Sequence, residues 1–94
     1  MVKLEGDRLV IDGPIVMANV ASLRAAGEAY IAQRGVSTLD LSRVTEIDSS
    51  ALALVLAWQR GAAKVGRVLG VSGAPQGLKT LAELYGVSSF IGTA

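Results

Sequence analysis

Thr38-Leu-Asp-Leu-Ser-Arg-Val-Thr-Glu-Ile-Asp-Ser-Ser-Ala-Leu52 is the stretch whose reading decides the fold. Over residues 37–41 the apolar residues Leu39 and Leu41 alternate with Asp40, the period-two pattern of a strand with one buried face. Residues 44–47 read as a connecting loop. Asp48, Ser49 and Ser50 then stand where an apolar run begins, and their side-chain oxygens suit the free N–H groups of a helix start. The same turn sets two hydroxyls at the positive end of the helix dipole, where a partner or a phosphate would read them.

Outward from that turn, the chain alternates between two periodicities. Residues 2–5 and 8–11 are short apolar-polar runs around Gly6-Asp7 and predict a β-hairpin. Pro14 follows as an early helix residue. Val16, Val20, Leu23, Gly27, Tyr30 and Ile31 recur at steps of three and four, so a helix is expected over 15–33, with Gly35 as its C-cap. A second helix is expected over 49–63 and a doubly buried strand over 68–71. A third helix over 76–85 should carry Leu78, Leu81 and Leu84 in its core stripe, Tyr85 beside them, and Gly86 as its end. Residues 87–91 read as a short edge strand. Strands alternating with helices predict a layered α/β (α+β) domain, a mixed sheet of roughly four or five strands packed with about three to four helices. No linker or repeat divides residues 1–94, which form a single domain.

Composition narrows the chemistry. The chain has no cysteine and no histidine. Disulfides, thiolate nucleophiles, imidazole bases and Cys/His metal sites are therefore excluded. The eight carboxylates show no calcium-loop spacing, so no metal and no cofactor are expected. Gly70-Val-Ser-Gly73 is not followed by Gly-Lys-Ser/Thr, so it is not a phosphate loop. A serine nucleophile would lack an activating base, and no enzyme activity is expected. With a formal net charge of +1 and no basic run, nothing marks a nucleic-acid surface. The apolar run 51–58 is far short of the roughly 20 residues that span a bilayer, so no direct membrane insertion is expected. The first residues lack a secretory signal pattern, and a cysteine-free chain fits the cytoplasm.

Leu39-Asp-Leu-Ser-Arg-Val44 and Asp48-Ser-Ser-Ala-Leu-Ala-Leu-Val-Leu56, in this order of elements, resemble the STAS domain family. With Leu78-Lys-Thr-Leu-Ala-Glu-Leu-Tyr-Gly86 they are most similar to its MlaB-type branch, the STAS subunits of Mla phospholipid transporters. The resemblance implies a binding role. The partner would be the cytoplasmic ATPase of an ABC transporter (an MlaF-like subunit), with this chain peripheral to the inner membrane of a Gram-negative cell through that partner. The alternative it implies is an anti-sigma-factor antagonist, phosphorylated on Ser49 by an anti-sigma factor kinase. The antagonists usually carry Gly where this chain has Ala51, a better helix former by about 1 kcal/mol, and a stiffer helix start suits constitutive docking.

Half of the chain, 51%, is hydrophobic and mean hydropathy is +0.48, a surplus that points to a covered surface. In the second helix Leu52, Val55 and Leu56 share one stripe, while Leu54 and Trp58 share another. The second stripe either packs on a neighbouring helix or forms a docking face with Trp58 as anchor. The expected partner-binding residues are thus Asp48, Ser49, Ser50, Leu54 and Trp58, with Ser49 the candidate phosphorylation site.

Overall fold

A hairpin turn at Gly6-Asp7 joins β1 (Val2–Glu5) to β2 (Arg8–Ile15) in a computed structural model that describes residues 1–33 and 35–91. The chain continues through α1 (Val20–Gln33), β3 (Thr38–Ile47), α2 (Ser49–Lys64), β4 (Gly70–Ser72), α3 (Gln76–Leu84) and α4 (Ser88–Ile91). The sheet has four strands in the order β1-β2-β3-β4. The hairpin is antiparallel and the two later pairings are parallel. The expected mixed α/β architecture is therefore present.

Strand alternation divides the sheet into two unlike faces. Leu4, Leu9, Leu39 and Val71 are neighbours in register, and all belong to or pack on the hydrophobic core with the helices. On the other face Arg8 reaches across three strands. Its guanidinium donates to Asp40 Oδ2 at 3.0 Å and to Ser72 Oγ at 2.8 Å. Asp40 Oδ1 accepts from the Ser42 amide at 2.9 Å and from its hydroxyl at 2.7 Å. These Ser42 bonds and the Arg8 charge hold the Asp40 carboxyl down at about 2, against the opposing effect of burial.

Helix α1 buries Leu23, Gly27 and Ile31, one residue every four along the face turned to α2. Gly27 is there because of Trp58. A Cβ at position 27 would lie 2.3 Å from the indole Cζ2, closer than any non-bonded carbons pack. The indole Nε1 donates to the Arg24 carbonyl at 3.2 Å. Helix α2 is buried on both flanks, with Leu52, Val55, Leu54 and Trp58 each at 5% exposure or less. The second apolar stripe is thus core, packed on a neighbouring helix.

Several sequence expectations shift. Pro14 lies in β2, not in a helix, at an irregularity in the β2–β3 register between Gly13 and Ile15. A proline is tolerated there because the ladder does not need its missing N–H. A turn over 16–19 comes next, and α1 starts only at Val20 and stops at Gln33, while Gly35 lacks the left-handed backbone of a C-cap. Residues 44–47 extend β3, pairing with Gly13 and Ile15. β4 begins only at Gly70, leaving Val68 outside the sheet and 88% exposed. Residues 87–91 hold a one-turn helix that drives Ile91 into the core.

In α3, Leu78 and Ala82 are fully buried, but Leu84 is 76% and Tyr85 67% exposed. Leu84 lies roughly 120° around the helix from Leu78. Gly86 does end the helix, with positive φ and a Val87 N–H to Ala82 carbonyl bond of 2.8 Å.

Two outcomes follow from this packing. Gly27→Ala should lower stability by about 1–3 kcal/mol in urea denaturation, because overpacking against the indole outweighs the helix propensity gained. For Asp40, the folded carboxyl titrates below its unfolded value, so its contribution is full above about pH 4 and lost as pH falls. The stability difference between the protein and Asp40→Asn should therefore shrink from pH 4 toward about 2.

Candidate functional site

The turn that opens α2 is built around one carboxylate. Asp48 is the N-cap, in extended backbone. Its Oδ1 accepts from the Ser50 amide at 2.9 Å and also from the Ser50 hydroxyl. Its Oδ2 accepts from the Met17 amide at 2.8 Å. Asp48 thereby joins the start of α2 to the loop that precedes α1. The Ser50 hydroxyl, then the Met17 N–H, hold the Asp48 carboxyl below the usual carboxylate range, with desolvation opposing them.

Asn19 shapes the other half of this junction. Its Oδ1 accepts from the Val16 amide at 3.0 Å and its Nδ2 donates to the Pro14 carbonyl at 3.0 Å. The turn so formed lifts Met17 into solvent, where it is 70% exposed. Asn19 escaped the sequence reading, although an Asn immediately before an apolar-periodic residue is a helix-start signal.

The predicted site residues separate into three roles. Ser49 is exposed, and its side chain makes no hydrogen bond among the described residues. Ser50, expected to face solvent, is 7% exposed and spends its hydroxyl on Asp48. Leu54 is 2% exposed, and it lines a groove of ≈ 450 Å³ between α1 and α2 together with Met17, Ala21, Arg24, Ser49 and Ala53. Trp58 does not serve as a surface anchor, because it is fully buried against Gly27. Met17 and Arg24 take its place on the rim. Arg24 is held along α1 by Glu28, with Nε to Oε1 at 2.8 Å.

This arrangement offers recognition. The carboxylate next to Ser49, Asp48, accepts from Ser50 and Met17, and among the described residues no three His, Cys, Asp or Glu side chains gather as a metal site. No described helix is long and apolar enough to cross a membrane. What remains is a free hydroxyl at a helix start, next to an apolar trough.

Comparison with known proteins agrees with this geometry. The family described as Mlab, STAS domain matches residues 2–92. Among curated proteins none matches. Among solved structures, the unphosphorylated form of the anti-sigma factor antagonist SpoIIAA superposes with a TM-score of 0.74 at 21% identity, covering 100% of this chain and 86% of that one. The phosphorylated form of SpoIIAA, a Bacillus cell fate determinant, gives 0.68 at 22% identity, covering 100% and 89%. At those identities the likeness is one of fold.

The two serines should differ on replacement. Ser50→Ala should cost about 1 kcal/mol in thermal or urea unfolding, since it removes a buried hydrogen bond to the cap. Ser49→Ala should leave stability within about 0.5 kcal/mol of the starting protein, as expected for a surface side chain without partners.

Proposed function

This chain belongs to the MlaB-type STAS domain family, and we propose that it is a non-catalytic accessory subunit docked on the cytoplasmic ATPase of an Mla-type phospholipid ABC transporter. Docking supports the assembly and activity of that complex and holds this chain at the inner membrane through its partner. The observation that carries the reading is the exposed Ser49 hydroxyl set beside the ≈ 450 Å³ groove, with Met17 exposed at its edge. A polar contact next to an apolar recess is the anatomy of a protein interface, where a buried apolar centre is bordered by groups that fix register. Ser49 supplies the polar border, positioned by the bonded Asp48–Ser50 pair behind it, and Leu54 the floor.

A second reading has its own support in the same serine. A hydroxyl exposed at a helix start accepts a phosphoryl group with the dipole in its favour. On that reading the chain is an anti-sigma-factor antagonist switched by phosphorylation of Ser49. Ala51, fully buried in the first turn, argues for a fixed rather than a remodelled helix start.

Reconstitution of the transporter with and without this chain separates the two. The accessory role requires higher ATPase stability or lipid transport when the chain is present. Ser49→Arg should weaken binding to the ATPase by roughly tenfold or more, with its thermal midpoint unchanged. Equal transport and equal ATPase stability in both preparations would remove the accessory reading. Transfer of phosphate to Ser49 by an anti-sigma factor kinase would then support the alternative.

A further inference from the structure

We propose that the opposite end of α2 carries a second docking face, fitted to an acidic amphipathic segment of a partner protein. Two grooves, of ≈ 310 and ≈ 400 Å³, meet along Gln59, Ala63 and Phe90. They lie at the C-terminal half of α2, whose sixteen residues separate them from Ser49 by most of roughly 24 Å. Val68 at 88% exposure and Phe90 at 54% make this surface apolar. Gln59 fixes its shape, because its Nε2 donates to the Leu69 carbonyl at 3.3 Å and to the Phe90 carbonyl at 2.6 Å. The trough is therefore pre-formed, which lowers the cost of binding.

Charge decides the occupant. Arg60 lines one groove and Arg67 the other, and no Asp or Glu lines either. From Ser49 to Ala82 the sequence holds Arg60, Lys64, Arg67 and Lys79 and no acidic residue at all. Glu28 on α1 borders Arg60 and Lys64 but is paired with Arg24 at 2.8 Å, so this surface keeps a basic surplus. A second copy meeting the face by two-fold symmetry would set Arg60 and Lys64 against basic counterparts. An acidic partner is steered to it instead. The surface is a trough, into which apolar side chains at helical spacing insert, and a flat lipid surface would leave it unfilled.

The test uses a synthetic helix-forming peptide with Leu at i, i+3, i+4 and i+7 and Glu on its other face, titrated into the isotope-labelled protein and followed by amide shifts. Shifts should cluster at Ala63, Val68 and Phe90 and spare Ser49. Arg60→Glu and Val68→Asp, both surface changes, should each weaken binding by roughly tenfold. Ser49→Arg should leave it unchanged, so this result stands or falls apart from the ATPase reconstitution. A Lys-for-Glu peptide that binds as tightly overturns the proposal. So does the absence of shifts with the acidic peptide, or binding to phosphatidylglycerol vesicles in its place.

Discussion

The approach of Trp58 to Gly27 is the contact on which the rest of the helical layer depends. Both helices follow parallel strands, so each must return across the same face of the sheet and lie beside the other. A glycine on α1 lets the indole of α2 occupy the space a side chain would take. The indole N–H, which could not be buried unpaired without cost, is satisfied by the Arg24 carbonyl. The groove toward Ser49 lies between the same two helices, lined by Ala21 and Arg24 on α1 and Ala53 and Ala57 on α2.

The N-terminus of α2 is constrained by a different device. One carboxylate serves a helix cap and a neighbouring loop at once, through separate oxygens. A cap alone would need only the bond to Ser50. The additional bond to Met17 couples the two crossover connections where they emerge at the same end of the sheet. Ser49 stays unengaged because its neighbours on either side satisfy one another. A hydroxyl left free beside a rigid, fully bonded turn is pre-organised for contact, with little ordering left for a partner to impose.

The sequence was most legible where periodicity and a local signal agreed. Asp48 before an apolar run gave the start of α2 to the residue, and Leu39-Asp40-Leu41 gave a strand with its faces correctly sorted. Pro14 and the residues of β3 beyond Leu41 were misread for one shared reason. β2 and β3 continue past an irregular register, so neither alternation nor proline avoidance holds there. Trp58 was ambiguous because an apolar stripe facing a partner and one facing α1 have the same spacing. The glycine that receives it is thirty-one positions away in the sequence, and no local pattern links the two. Leu84 and Tyr85 failed in the opposite sense, since Leu84 lies off the Leu78–Ala82 stripe and Tyr85 is the C-cap beyond the helix.

The surplus of apolar residues has, in consequence, two destinations. A third of the buried apolar residues among those described lie on α2, the central helix of the core. Part of what is left exposed surfaces at the two ends of that helix, in chemically different company. At the N-terminal end Met17 and the groove adjoin a carboxylate and a free hydroxyl. At the C-terminal end Val68 and Phe90 share their grooves with Arg67 and Arg60. A chain of this size has little surface to spare for accidental apolar exposure. The two proposed contacts would then be held at fixed spacing by one rigid helix, α2.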